Sequence, residues 1–353
     1  MIVAEACSGQ DQIIAAATLL RKGGVVAFPT ETVYGLGAEI SQPSAVRRVF
    51  DIKKRPADLP LIVHMADVSG LEHWAREAPD QAWRLAERFW PGPLTLILRR
   101  SGRVPENVTG GQDTVGLRVP DHPVARALLT ELGPERAVAA PSANRFGRIS
   151  PTTAAHVKEE LGEAVDMILD GGPCRVGLES TIVGFNGKTS VILRPGGIPM
   201  EELAEILGEN LAGASSIMRP VRVSGSLASH YAPATPLELF CAELLWQRAR
   251  ELEAVGARVG VVTWSSQDLS QRRGRENKNQ ENKNLIHFSM PAEPVSYGRL
   301  LYASLRQWDH EGFDHLLVEL PPDDSAWAAI ADRLRRASSN AQVYGNIENE
   351  TTT

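Results

Sequence analysis

The sequence predicts an α/β protein in two units: a larger domain over residues 1–211, a connector at 212–236, a smaller α/β domain at 237–345 and a short tail at 346–353. Three observations predict it. Aliphatic runs of strand length alternate with helical-period segments throughout the first domain. The stretch AGASSIMRPVRVSGSLASHYAPATP is rich in Ala, Ser and Pro and has no period, as linkers do. Beyond it strand and helix patterns resume in the order of a small βαβ layer.

The elements follow in chain order. Asp11 can cap a helix QIIAAATLLRK that stops at Gly23-Gly24, and VVAF is a buried strand. Ser44 can cap the helix AVRRVFDIKK, which ends before Arg55-Pro56. LIVHM is a strand, PDQAWRLAERFW a helix, LTLILRR a strand, TVGLRV an alternating strand, HPVARALLTELG a helix and AVAA a strand. Ser150-Pro151 opens the helix TTAAHVKEELG. MILD, STIVGF and SVILR are strands, with Asn186-Gly187 a type I′ hairpin turn between the last two. In the second unit, a strand and helix in LELFCAELLWQRARELEAVG precede the strand ARVGVVTW, the helix SYGRLLYASLRQWDHEG, the strand HLLVEL and the helix SAWAAIADRLRRASS. Between them RRGRENKNQENKN is polar and low in complexity, with mixed charges, and is expected to be a disordered surface loop.

At 353 residues the chain has room for two domains of roughly 150 residues. Its net charge of −6 gives no overall pull toward nucleic acid or an anionic membrane, so any anion site must be local. Cys7, Cys174 and Cys241 are far apart and include no Cys-x-x-Cys pair, which indicates neither a disulfide framework nor a zinc ribbon. No apolar run approaches the ~18 residues of a membrane span. The first basic residue, Arg21, comes too late for the charged start of a signal peptide. A cytoplasmic enzyme without membrane contact is expected.

Several stretches can carry chemistry. FPTETVYGLG places Thr30, Glu31, Thr32 and Tyr34 directly after a strand, more functional groups than a turn needs. In VRRVFDIKKRPADLPLIVH, cations cluster at a helix end. They can simply complement the helix dipole, or Arg55, held extended by Pro56, can meet a phosphate. His64 lies within the following strand. In TVGLRVP, Thr114, Gly116 and Arg118 share one face, either an open polar floor or a solvent-facing edge. PSANRFGRISPT offers the hydroxyls of Ser142 and Ser150 after a strand end, where α/β sheets bind ligands. Arg194 ends a strand before open Pro-Gly-Gly backbone, which suits an anion. The P-loop pattern fails, because the glycine needed five residues before Gly187 is Ile182. GxSxG, HExxH and GxGxxG motifs are absent. Separated arginines and hydroxyls without an obvious nucleophile fit an enzyme that binds a nucleotide and works by positioning and charge stabilisation.

FPTETVYGLG, KKRPADLPLIVH, FWPGPLTLIL, GLRVPDHP, APSANRFGRISPT, GLESTIV and LRPGGI occur in the order found in the Sua5/YrdC family, and the chain resembles that family over about residues 10–340. SHYAPATPLEL and the unit ending in DRLRRAS resemble its longer Sua5 form. The resemblance implies a YrdC-like twisted mixed sheet with helices, linked to a smaller Rossmann-like domain. It implies synthesis of L-threonylcarbamoyl-AMP from L-threonine, bicarbonate and ATP, with magnesium and release of pyrophosphate, for a downstream tRNA threonylcarbamoyl transferase complex. On the threonine side it points to Thr32, His64, Arg118, the backbone at Ala140, and Ser180. On the nucleotide side it points to Arg55, Thr114, Ser142, Ser150 and Arg194, with Tyr231 reaching over from the linker. Leu59 stands where the family often has Asn or His and can offer only backbone. A labile carbamate also implies a closing lid, for which the linker with Tyr231 is the candidate. The alternative of another class is an RNA-binding module that holds a duplex by shape.

Overall fold

The computed structural model describes residues 2–4, 9–187, 189–208, 211–213, 221–225, 231–265 and 284–339. The expected polar loop, apart from Asn284, and the tail lie outside these. The chain divides into two compact units, Met1–Ser226 and Leu227–Thr353. The division falls inside the stretch read as a connector.

The first unit holds one large mixed sheet. Its strands are β1 (Ile2–Ala4), β2 (Val26–Phe28), β3 (Gly35–Glu39), β4 (Ile62–His64), β5 (Ala75–Glu77), β6 (Leu94–Arg100), β7 (Thr114–Arg118), β8 (Val138–Ala139), β9 (Met167–Leu169), β10 (Thr181–Asn186), β11 (Thr189–Arg194) and β12 (Leu211–Gly213). They are ordered β1-β9-β2-β3-β8-β4-β7-β6-β10-β11-β12, with β5 also paired to β6. The middle of the sheet mixes directions: β4 runs parallel to β7, β7 antiparallel to β6, and β6 parallel to β10. β12 shows that the start of the expected connector is part of the sheet, parallel to β11.

The side-chain period of two sorts the sheet's residues into two cores. Val25, Ala27, Ala137 and Ala139 join one cluster. Their alternates Val26, Phe28, Val138 and Ala140 join another, beneath the helices Gln10–Arg21 and Pro123–Leu132. Helix Gln10–Arg21 buries Ile13, Ala16, Ala17 and Leu20, the spacing of one helical face.

Three helix starts differ from expectation. The first helix is entered through Gly9, with Asp11 already in its first turn. The second begins at Pro43, which suits a first position because proline has no N–H to leave unpaired, so Ser44 lies inside the helix. The helix Ala154–Leu161 is capped by Thr153, whose side chain accepts from the His156 N–H. Ser150 is therefore not a cap and has another partner. β3 replaces part of an expected loop. Its glycines permit close packing: a Cβ on Gly37 would stand 2.6 Å from Val138 Cγ1 and 2.7 Å from Phe28 Cε1.

The second unit is a four-stranded parallel sheet, ordered β13 (Leu237–Phe240), β16 (His315–Glu319), β14 (Val259–Thr263), β15 (Leu285–Ser289). Helices Ala242–Ala254, Pro294–His310 and Ala328–Ala337 accompany it. Glu293 caps the second of these by accepting from Val295 and Ser296 N–H, directly before Pro294.

Candidate active site

The polar residues of the first unit gather at the middle of the large sheet. On β7, Val115, Leu117 and Val119 enter the core. Thr114 and Gly116 line a small pocket, together with Pro60, Ile62, Ile182 and Ser224. Arg118 follows on the same face of the strand and is 4% exposed, which removes the solvent-edge reading.

Arg118 anchors one group of buried polar side chains. Its Nη2 donates to Glu31 Oε1 at 2.7 Å and to Thr32 Oγ1 at 2.8 Å. The second Glu31 oxygen accepts from the Asp121 N–H at 2.9 Å. Thr32 Oγ1 also shares a hydrogen bond with Thr30 Oγ1. The FPTET segment is thus a buried polar turn clamped to β7. His64 pairs with Arg118 in the β4–β7 register. Burial, then the Arg118 cation, pull its imidazole down to about 3 from 6.5, so it is neutral near pH 7. Two buried nitrogens here, Arg118 Nε and His64 Nδ1, have no hydrogen-bond partner among the described residues. The Ala140 N–H donates to the Ile62 carbonyl at 2.9 Å. Ser180 Oγ shares a hydrogen bond of 2.8 Å with Thr95 Oγ1 on β6.

The residues expected on the nucleotide side have the following partners. Arg194, at the end of β11, donates to the Ser180 carbonyl through Nε and Nη2 and to the Ser224 carbonyl through Nη1 at 2.7 Å. The glycine after its proline is required: a Cβ on Gly196 would lie 2.4 Å from the Glu179 carbonyl. Ser150 Oγ donates to Glu179 Oε1 at 2.7 Å. Arg55 Nη2 donates to the Pro60 carbonyl on the cavity wall at 2.8 Å. Leu59 is half-buried and its N–H points back to Pro56. Ser142 bridges to Gly35, and its carbonyl accepts from Lys53 Nζ. Residues 221–225 edge the cavity. The Arg222 N–H donates to Gln112 Oε1 and its carbonyl accepts from Gln112 Nε2. Arg55 and Arg194 therefore contact residues that line one cavity, and Arg118 shares the strand face that floors it. Tyr231 belongs to the second unit, where it is buried, stacks on Tyr302 at 5.6 Å and lies under the Arg333 guanidinium.

Three charges are buried here: Glu31 and Lys53, which the sequence showed only as members of a polar turn and of a cation cluster, and Glu179, which it did not single out. Burial, then the Arg55 cation, hold the Lys53 amine well below the usual lysine range, against a smaller opposing effect of Glu160. Cys174 packs near Glu31, and burial pushes its thiol up, which leaves it unreactive. Among the described residues no group of three or more His, Cys, Asp or Glu could hold a metal ion.

Residues 18–196 match the Sua5/YciO/YrdC family model, described as telomere recombination. Residues 198–339 match the model of the threonylcarbamoyl-AMP synthase C-terminal domain. The chain is 40% identical over 334 residues to the threonylcarbamoyl-AMP synthase of Pyrococcus abyssi, covering 92% of this chain and 93% of that one. It is 39% identical over 350 residues to that of Bacillus subtilis, covering 96% of each. A crystal structure described as P. abyssi Sua5 complexed with L-threonine superposes with a TM-score of 0.84 at 37% identity, covering 96% of this chain and 98% of that one. With a YrdC-type first unit and a matching C-terminal domain, the chain belongs to the Sua5/YrdC family.

Proposed function

We propose that this protein is a nucleotidyltransferase that makes L-threonylcarbamoyl-AMP from L-threonine, bicarbonate and ATP. The carrying observation is the pair of partnerless buried nitrogens, Arg118 Nε and His64 Nδ1, on paired positions of β4 and β7. Buried polar nitrogens without partners are costly and rare; a carboxylate can accept from Arg118 Nε, and a hydroxyl can pair with His64 Nδ1 in either tautomer. The names of the relatives support this synthase reading over the RNA-binding one.

In this reading Arg118 receives the threonine carboxylate, and Thr32, His64, Ser180 and the Ala140 carbonyl surround the rest of the amino acid. Threonine's amine attacks the bicarbonate carbon, and water leaves. A carbamate oxygen then attacks the α-phosphorus of ATP, and the α–β bond breaks to release pyrophosphate. Arg55 and Arg194 balance the phosphate charge that moves in this step, with Thr114, Ser142, Ser150 and the Leu59 backbone as further nucleotide contacts. The protein contributes position and charge; neutral His64 can accept or donate a hydrogen bond without adding a cation. The described residues offer no metal cage. Magnesium would arrive on the ATP phosphates, the usual way this ion enters such sites. The product would pass, in the cytoplasm, to a tRNA-modifying transferase complex.

The test is pyrophosphate release by purified protein with ATP, threonine, bicarbonate and magnesium, each omitted in turn. Release is expected only with threonine and bicarbonate present. Release independent of threonine would refute the assignment.

A further inference from the structure

Thr95 is the second residue of β6 and is fully buried. Its neighbours Leu94 and Leu96 enter the core, so Thr95 and Ile97 face the other way, onto the side of the sheet where Ile97 lines the pocket. A Cβ on Gly116, which lines the same pocket, would stand 3.2 Å from Thr95 Cγ2. A valine here would have the same shape and no polar atom to satisfy. The threonine hydroxyl has one partner among the described residues, Ser180 Oγ at 2.8 Å. Ser180 is itself 1% exposed. Its Oγ also accepts from Arg194 Nη2 at 3.2 Å, and the same nitrogen donates to the Ser180 carbonyl at 2.8 Å.

A hydroxyl has one proton to give and two positions at which it accepts. Arg194 can only donate, so it takes one accepting position of Ser180 Oγ. A buried donor without an acceptor is costly, and the only acceptor within reach of the Thr95 proton among the described residues is the same Ser180 Oγ. Both accepting positions are then filled, and the proton of Ser180 is left for a ligand. We propose that Thr95 is a positioning residue: by donating to Ser180 it turns the Ser180 O–H into a donor for an acidic oxygen of the amino-acid substrate, its carboxylate or the carbamate made from it. This rests on the reading of Ser180 as a threonine contact. Thr95 acts through Ser180 and does not itself touch the substrate.

The experiment uses the full-length protein, with pyrophosphate release measured while L-threonine, bicarbonate and ATP are varied separately. Thr95→Val keeps the shape and deletes the hydroxyl. It is expected to raise the KM for threonine or bicarbonate about fivefold, as loss of one neutral hydrogen bond does, with the KM for ATP changed less than about twofold. Thr95→Ser should restore the wild-type values. Calorimetry with L-threonine alone separates the two oxygens: weakened binding assigns the proton to the carboxylate, and unchanged binding with a raised KM for bicarbonate assigns it to the carbamate. In a Ser180→Ala background Thr95→Val should add nothing, because its effect passes through Ser180. Unchanged constants for threonine and bicarbonate, equal rises for all three substrates, or an undiminished effect in the Ser180→Ala background overturns the proposal. If Thr95→Val does not fold, Thr95→Cys, whose thiol is a weak donor, takes its place. If the wild type releases no threonine-dependent pyrophosphate, the synthase reading fails instead. Urea titrations without substrate then still test Thr95. Ser180→Ala strands the Thr95 proton and should lower the midpoint more than Thr95→Val does; the reverse order overturns the direction assigned to that proton.

Discussion

Arg118 and Glu31 form an ion pair in which the side chains are 5% and 1% exposed. Removing one partner leaves the other as an uncompensated buried charge, a loss of about 3–5 kcal/mol. Arg118→Ala should therefore lower unfolding stability by that amount in urea titrations and abolish threonine-dependent pyrophosphate release. A loss below about 1 kcal/mol would instead mark the pair as solvent-screened. His64 gives a pH test. Its folded-state pKa of about 3 lies below the ordinary 6.5. Between those values the unfolded chain binds a proton that the folded chain does not. Stability is thus lost as pH falls from about 6.5 toward 3, by at most about 1.4 kcal/mol per unit. Urea midpoints at pH 7, 6 and 5 should fall more steeply for wild type than for His64→Gln. Arg55 and Arg194 were legible as candidate anion ligands because an arginine beside proline or at a strand end is a local pattern, whereas Arg118 was legible only as part of a polar strand face. The burial of Glu31 and Lys53 was not legible. Their partners lie 87 and 89 residues away, and a single carboxylate or amine in a sequence carries no sign of what it will meet.

Among the elements, aliphatic strands such as LTLILRR were legible to the residue, ending as read at Leu94–Arg100. β3 was not, because GLGAE carries the residues that ordinarily break strands. Here the glycines are used for contact, since Val138 and Phe28 fill the space a side chain would take. Gly37→Ala should accordingly overpack the sheet and cost about 1–3 kcal/mol. The helix after PSANRFGRISPT provides a second comparison. Thr153→Ala removes its cap and should cost about 1 kcal/mol in denaturation without changing the KM for ATP. Ser150→Ala, which removes the bond to buried Glu179, should change that KM.

For the whole molecule, the two-unit plan was legible from the pause in periodicity, and the division falls inside the stretch read as a connector. A cut at 211 would remove the Ser224 carbonyl that Arg194 holds and most of β12. A chain ending at Ser226 keeps both. That fragment is expected to unfold in one cooperative transition and to bind L-threonine by calorimetry. It is expected to release no pyrophosphate. Full turnover by the fragment would remove any catalytic need for the second unit.

The strand order has a further consequence for biosynthesis. Val26 pairs with Gly37 on one side and with Met167 on the other, and β10 lies beside β6, whose residues are made almost ninety positions earlier. Such distant pairings cannot form while their later members are still untranslated. Arg118 and Glu31 can meet early, but Ser180 and Arg194 join them only near the end of the first unit's synthesis. A nascent chain halted before Arg194 has emerged would carry half a pocket, and substrate cannot assist the folding of a cavity whose far wall has yet to be made.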